Sequence, residues 1–238
     1  MCYMIRKVAP LALALCLPLL PKTPLQQVPV VTTSQVDFAA GGTIRIEGSV
    51  GELNIEGWDQ PQVQVVLTRF DYAEGTDRDR LKSKLEQITV KAEKESATEL
   101  TISTALPHRN FFVRKVKGKT NADLNYRIMV PRDSHLIIHH GNGDVILYNV
   151  GGDIEATTHV GAIVAQLQDP AQYAIDAHTG AGEVNSDYDG KHRTHVWVRE
   201  SFVAPAQPPA HKIFLRVKIG DIDVVKMGPD PIAKTGAN

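Results

Sequence analysis

Short stretches of alternating apolar and polar residues recur along most of the chain after residue 40. Residues 42–48 (GTIRIEG) are echoed nine positions later by residues 51–57 (GELNIEG), and both place an apolar residue at every second position. A period of two predicts β-strands. The same pattern predicts strands at 63–67, 88–92, 99–103 and 124–130. Residues 77–87 differ, because Leu81, Leu85 and Ile88 recur at the spacing of one helix face and predict a short helix.

From residue 143 a compact unit repeats, consisting of a glycine, a small or acidic residue and a β-branched apolar residue. Its copies are at 143–145, 152–154, 161–163, 182–184 and 220–222. Glycine suits a corner with positive φ, and units this short bury a core only when they stack on their neighbours. The alternation predicts the following inward pairs: Val145/Leu147, Ile154/Ala156, Ile163/Ala165, Ile175/Ala177 and Val184/Ser186.

The pattern predicts an all-β fold, a parallel β-solenoid or β-helix of short Gly-[Asp/Glu]-[Ile/Val] coils with one short helix near residues 77–87. An antiparallel sandwich is the alternative. It is less favoured, because hairpin loops prefer Asn-Gly or Asp-Gly pairs between longer alternating runs, whereas here the glycine precedes the acidic residue.

The N-terminus has the features of an export signal. Arg6 and Lys7 precede an apolar run over residues 8–20, which is too short to span a bilayer. We expect a signal peptide at 1–22, an extended leader at 23–34, a solenoid domain at 35–228 and a tail at 229–238. The mature protein is then exported to the periplasm, cell surface or extracellular space and is not transmembrane. Both cysteines, Cys2 and Cys16, lie in the signal region, and lipidation of Cys16 is an alternative.

Composition narrows the function. The chain has 238 residues with 26 basic and 27 acidic side chains, a formal net charge of −1, which argues against a general nucleic-acid binder. No phosphate-binding, dinucleotide-binding or nucleophile-elbow motif is present, so no cofactor is expected.

The order of these motifs resembles the bacterial putative-adhesin domain family. The matching stretches are residues 55–63 (IEGWDQPQV), the helix and hairpin at 77–103, residues 126–131 (YRIMVP) and the Gly-acid-apolar units from residue 143. The resemblance covers about residues 40–227. It implies a cell-envelope location and a β-solenoid of unknown function, and it transfers no catalytic residues. The interruption at residues 203–211 departs from the family pattern and is expected to be an exposed loop.

Acidic residues are the first candidates for chemistry, since many β-helix proteins cleave polysaccharides with clustered carboxylates. Asp144, Asp153, Glu183 and Asp221 are instead spread singly beside corner glycines. This placement favours turn chemistry, with carboxylates solvated or bonded to backbone N–H groups. No catalytic residue is therefore assigned, and a polysaccharide-active enzyme is the alternative function.

Histidines provide a second candidate. His139, His159 and His178 are 20 and 19 residues apart. If one coil takes about 20 residues, the three imidazoles stack on neighbouring strands about 4.8 Å apart, where they suit a transition metal. A surface ladder of polar residues is the simpler interpretation, and a metal-binding envelope protein is the further alternative.

The third candidate is the basic stretch at 105–122, which has no predicted strand. It combines cations with two phenylalanines, namely Arg109, Phe111, Phe112, Arg114, Lys115, Lys117 and Lys119. Such a loop suits a cell-envelope component or an anionic surface polymer, although a solvated connection has the same composition. The repeats carry mixed charge, so we expect no concentrated charge on the sheet faces. The sequence predicts a non-enzymatic exported envelope protein, an adhesin-like binding or structural module.

Overall fold

The computed structural model describes residues 26–73, 78–105, 122–168, 173–195, 199–205 and 211–227. These residues form two mixed sheets with one short helix, so the predicted all-β class and the predicted short helix are confirmed. The strands are β1 Gln26–Asp37, β2 Thr43–Val50, β3 Glu52–Trp58, β4 Gln62–Ala73, β5 Thr89–Lys94, β6 Glu99–Ala105, β7 Asp123–Pro131, β8 His135–Asn142, β9 Val145–Tyr148, β10 Ile154–Val160, β11 Ile163–Leu167, β12 Tyr173–Thr179, β13 Val184–Ser186, β14 Lys191–His195, β15 Arg199–Ala204, β16 His211–Ile219 and β17 Ile222–Lys226.

The two sheets share one strand order in their central parts. In the described residues, the eight-stranded sheet runs β1-β4-β7-β3-β9-β11-β17-β13, and the nine-stranded sheet runs β14-β15-β12-β16-β10-β8-β2-β6-β5. Consecutive strands therefore occupy matching places in the two sheets, and each such pair is called a coil below: β2/β3, β8/β9, β10/β11, β16/β17 and β12/β13. Neighbouring coils pair in parallel.

The coils do not stack in sequence order. Strands β16 and β17 lie between the coil at residues 154–167 and the coil at residues 173–186. The sheets also end in antiparallel strands, with β1 and β4 in one sheet and β5, β14 and β15 in the other. An order in which each unit stacks on the unit before it in the chain is therefore wrong for the last unit. The chain first forms the β14–β15 hairpin and then returns to insert β16 and β17 between two earlier coils.

The predicted inward series is confirmed at nearly every position. Val145, Leu147, Ile154, Ala156, Ile163, Ala165, Ile175, Ala177 and Val184 are buried in one apolar core that both sheets share. Ser186 is the exception and is half-buried, since it ends the short edge strand β13. Consecutive units such as Ile154 and Ile163 lie in opposite sheets, so one coil comprises two units.

A column of glycines forms the corner between the two sheets. Gly51, Gly143, Gly161, Gly220 and Gly182 all have positive φ, from 117° to 147°. A Cβ at Gly143, Gly161, Gly220 or Gly182 would lie 2.0–2.2 Å from the carbonyl oxygen of another glycine in the column. The corner therefore requires glycine both for its backbone angle and for the close approach of successive coils.

Helix α1, Arg78–Glu86, matches the predicted helix. Leu85, within the helix, and Ile88, just after it, are buried. Arg69 on β4 is only 2% exposed and holds the helix end. Its guanidinium donates to the carbonyls of Leu85 (3.3 Å) and Ile88, and to Val30 O at 3.4 Å. A cation that bonds the last carbonyls of a helix also opposes the helix dipole. Burial lowers the Arg69 pKa, while the nearby Glu86 raises it.

Two stretches for which the sequence pattern predicts no strand belong to strands. Residues 26–34 of the expected leader belong to β1, which pairs with β4 as an edge strand, a position that tolerates Pro29. Within the expected loop at 203–211, Val203 and Ala204 belong to β15, and His211 begins β16. These stretches are ordered because their backbone groups pair with a neighbouring strand. Residues 206–210 lie outside the described residues.

Candidate binding surfaces

The carboxylates beside the corners join successive coils. Asp144 Oδ1 accepts from Ala162 N at 2.8 Å, Asp221 Oδ1 accepts from Glu183 N at 2.8 Å, and Asp153 Oδ1 accepts from Lys212 N at 2.9 Å. In all three bonds the acceptor and donor lie on neighbouring coils, and the bonds point the same way along the stack. The prediction that these aspartates bond backbone N–H groups is confirmed. Glu183 is exposed at its corner.

The structure does not bring the three candidate histidines together. His139 on β8 and His178 on β12 share one level, but β10 and β16 separate them and place Thr157 and Arg216 at that level. His159 lies two residues farther along β10. Two features break the expected ladder: β10 places Thr157 instead of His159 opposite His139, and the inserted β16 separates β10 from β12. Among the described residues, no group of three His, Cys, Asp or Glu side chains is arranged to hold a metal ion.

Two of these histidines contact carboxylates instead. His139 Nδ1 lies 3.0 Å from Glu47 Oε1, and His178 Nε2 lies 2.8 Å from Asp176 Oδ1. Both pairs are about half-exposed on the outer face of the nine-stranded sheet. They are therefore surface pairs of polar side chains, which is the simpler interpretation given above.

His140, next to His139, points the other way and is buried. Its Nε2 donates to Gly51 O at 2.8 Å, and a Cβ at Gly48 would meet its Nδ1. Burial lowers the His140 pKa, against smaller opposing effects from the backbone at Gly51 and Asn142 and the charge of Asp144. This histidine ties β8 to the first glycine corner.

The predicted partner loop lies outside the described residues. Arg109, Phe111, Phe112, Arg114, Lys115, Lys117 and Lys119 all fall between β6 and β7, in residues 106–121. Contact of this loop with an envelope partner stays a prediction.

An open depression of about 470 Å³ lies on the outer face of the eight-stranded sheet. It is lined by outward residues of β3, β7 and β9, including Asn54, Asn125, Arg127, Ile146 and Tyr148. Arg127 Nη2 bonds Glu56 Oε2 at 2.9 Å at its edge. The depression combines amides, an ion pair and a phenol ring, which suits a hydroxyl-rich ligand that offers both hydrogen-bonding groups and an apolar face.

A second cluster lies on the outer face of the nine-stranded sheet. The Arg216 guanidinium stacks 3.4 Å over the Phe214 ring and donates to Asp176 Oδ2 at 3.1 Å and Asp176 O at 2.8 Å. Arg216 is thus held both by the Phe214 ring and by its hydrogen bonds to Asp176. Phe214 remains 37% exposed, and the neighbouring Val203 is 43% exposed.

Sequence reasoning missed both clusters. In the depression, Asn54, Asn125 and Arg127 occupy outward positions of strands that the alternation predicts, so the pattern gives the direction of these side chains. In the second cluster, Val203 lies in the stretch expected to be a loop, and the sequence analysis predicts no strand for Phe214 and Arg216. Their proximity depends on strand register, such as Ile55 with Ile128 and Leu147, which the sequence pattern leaves open.

No protein-family model and no curated protein matches the chain. Several solved bacterial structures resemble it. A putative cell adhesion protein from Clostridium sporogenes ATCC 15579 aligns with 84% of this chain and 100% of its own, at 11% identity and a TM-score of 0.49. A putative adhesin from Parabacteroides distasonis ATCC 8503 aligns with 83% of this chain and 97% of its own, at 11% identity and a TM-score of 0.24. Both neighbours are named as adhesion proteins, as is the family that the sequence resembles.

In the described part of the chain, no helix has the length and apolar character needed to cross a membrane.

Proposed function

We propose that the chain is a non-enzymatic, exported envelope protein that binds an envelope component through the outer faces of a β-solenoid-like stack. The stack includes the five coils β2/β3, β8/β9, β10/β11, β16/β17 and β12/β13, with β6 and β7 continuing the two sheets in parallel at one end and the antiparallel strands β15 and β14 following β12 at the other. Their shared core fixes every outward side chain in register, which suits a rigid display surface.

The corner carboxylates support a non-enzymatic role. Asp144, Asp153 and Asp221 each accept a backbone N–H of the next coil. General acid–base work needs carboxylates that converge on one reacting bond, whereas these three are used one at a time to join coils.

The depression on the eight-stranded sheet is the observation that carries a binding role. Asn54, Asn125 and Arg127 offer donors and acceptors beside the Tyr148 ring, on strands that their neighbours fix on both sides. Export is the second part of the proposal, and it rests on Arg6, Lys7 and the apolar run at 8–20.

The test has two parts. Mass spectrometry of the native protein should find a chain that begins between about residues 21 and 35 outside the cytoplasm. An intact Met1 on a cytosolic species would contradict export.

The purified mature chain should bind intact envelope, and the triple change Asn54→Ala, Arg127→Gln and Tyr148→Ala should weaken that binding about tenfold or more. The matched control changes Gln166, Asn185 and Val225, outward residues of the same sheet outside the depression, to Ala. Equal binding by both variants argues against the depression. If the wild type cleaves a polysaccharide and Asp144→Ala or Asp153→Ala abolishes that cleavage, the non-enzymatic role is overturned.

A further inference from the structure

Four neighbouring strands of the nine-stranded sheet, β16, β12, β15 and β14, collect cations on their outer face. The outward positions hold Lys212, Arg216 and Lys218 on β16, Arg199 on β15, and Lys191 and Arg193 on β14. Asp176 is the carboxylate among the outward side chains of these four strands. We call this surface the basic face. It contradicts our expectation that no sheet face carries concentrated charge.

The direction of these side chains follows from the pairing. Residues opposite each other on neighbouring strands point to the same side of a sheet. Lys191 pairs with Val203, and Arg193 pairs with Ser201, while Val203 and Ser201 pair with Asp176 and His178. His178 pairs in turn with Arg216. On these strands the alternate residues, such as Phe202, Ala177 and Leu215, are buried in the core.

Five of the six cations have no anionic partner within the described residues. Arg216 is bonded to Asp176 and stacked on Phe214, whereas Lys191, Arg193, Arg199, Lys212 and Lys218 make no ion pair there. All five are exposed. On the neighbouring strand β10, Glu155 lies opposite Phe214, and Asp153, just before that strand, is engaged with Lys212 N and His211. Unpaired exposed cations on a rigid surface are available to an external anion.

The spacing suits a ligand with repeated charges. Strands in a sheet lie about 4.8 Å apart. Lys218 and Arg199 both flank Gly180, which continues the β12 register between them, so their backbones are about 10 Å apart. Arg216 and Arg193 occupy the next row, with His178 and Ser201 between them. Cations recur across the strands as well as along them, which matches a chain of anionic groups better than a single anion.

We propose that the basic face binds a linear anionic polysaccharide, with Lys191, Arg193, Arg199, Lys212 and Lys218 as its contacts. The inference rests on the proposed binding function and names the class of its partner. A polysaccharide fits better than a membrane, because Phe214, the exposed phenyl ring among the described residues of the basic face, is covered by Arg216 instead of projecting for insertion. It fits better than a second copy of the chain, since stable interfaces between proteins are depleted of charge at their centres.

The test measures binding of the full mature chain to polygalacturonate, with neutral dextran, anionic phosphatidylglycerol vesicles and duplex DNA as comparison ligands. Polygalacturonate should bind with clear preference, and its affinity should fall as salt rises, because exposed charges are screened over about 8 Å at physiological ionic strength. Changing the five unpaired cations of the basic face to Gln should reduce the affinity about tenfold or more, because several weak exposed ion pairs are lost together.

The matched control removes the same charge elsewhere. Its five changes to Gln are at Arg80, Lys82, Lys84, Lys91 and Lys94, all exposed and outside the basic face. The control should bind polygalacturonate nearly as well as wild type. Equal loss of affinity in both variants would mean that only the net charge of the protein matters, and it would overturn the basic face as a specific site.

Stronger binding to vesicles or DNA than to polygalacturonate would overturn the partner class. Light scattering gives a further outcome. If it shows a salt-sensitive dimer that only the five basic-face changes dissociate, the partner is a second copy of the chain instead of a polysaccharide. If the basic-face variant still binds intact envelope like wild type, this inference fails while the proposed function stands. If wild type binds no envelope, the proposed function fails whatever the polymer result.

Discussion

The basic face and the remaining half of the same sheet share one architecture and carry opposite charge. On β10, β8, β2, β6 and β5, outward charged positions include Glu47, Glu93, Glu99 and Glu155 with Arg45 and Lys91. The basic face has six cations and one carboxylate. Inward residues of the two halves are alike, since both bury aliphatic side chains in one core. The comparison teaches that the core specifies the fold, while the outward positions are free to divide one sheet into surfaces of different charge.

The largest expected effect is on the free energy of unfolding, when a charge replaces a core residue of β16, the strand that carries three of the basic-face cations. Ile213 on β16 is buried between Ile154 on β10 and Ile175 on β12. Ile213→Asp should cost about 3–5 kcal/mol of unfolding free energy, because an unpaired charge enters an apolar core. Lys218→Asp, at an exposed end of the same strand, should change it by less than about 0.5 kcal/mol. Similar melting of both variants would contradict the inward assignment of Ile213.

A smaller effect is expected at the corner that holds β16 and β17 in register. Gly220 has φ 133°, and a Cβ there would lie 2.2 Å from Gly161 O. Gly220→Ala should reduce the unfolding free energy by about 2–4 kcal/mol through backbone strain and displacement of the neighbouring coil. Chemical denaturation measures this loss.

The matched control is Gly41→Ala. Gly41 also has positive φ, 79°, but a Cβ there would meet nothing within 4 Å. Its cost should be limited to about 1 kcal/mol of backbone strain. Equal losses at the two glycines would show that close packing of the column contributes nothing.

The smallest expected effect is on the pH dependence of stability, and it comes from His140, which is buried on β8 in the acidic half of the sheet. Burial lowers its pKa in the folded state, so below about pH 6.5 the unfolded chain binds a proton that the folded chain does not. The stabilising contribution is full above that pH and declines as pH falls toward the lowered folded pKa. The decline cannot exceed about 1.4 kcal/mol per pH unit for one group.

Urea denaturation of wild type and His140→Gln between pH 8 and pH 5 tests this effect. The variant lacks the titrating ring, so its unfolding free energy should fall less steeply below pH 6.5 than that of wild type. The difference between the two curves isolates His140, because both share every other titrating group. Parallel curves would mean that His140 does not resist protonation in the fold.

Local chemistry explains what the sequence determined. The alternation of Ile154, Ala156, Ile163 and Ala165 set the buried face, because side chains in a strand alternate sides whatever the neighbouring strand is. The glycine of four units, Gly143, Gly161, Gly182 and Gly220, likewise predicted a corner with positive φ, because glycine adopts positive φ without steric cost; Gly152 is the exception. Helix α1 was predictable from the spacing of Leu81 and Leu85. Even the structural use of Asp144 and Asp221 followed from their place beside a glycine.

Only the tertiary structure decided which units are neighbours. Every unit presents nearly the same glycine corner and aliphatic pair, so the sequence pattern fits one stacking order almost as well as another. The return of residues 211–227 between two earlier coils placed Arg216 between Thr157 and His178 and so moved His178 one strand farther from His139. The same return placed Lys212 and Lys218 beside the sheet edge that carries Lys191 and Arg193. Strand pairing across such long separations depends on the folding of the whole chain, and the basic face exists only as its result.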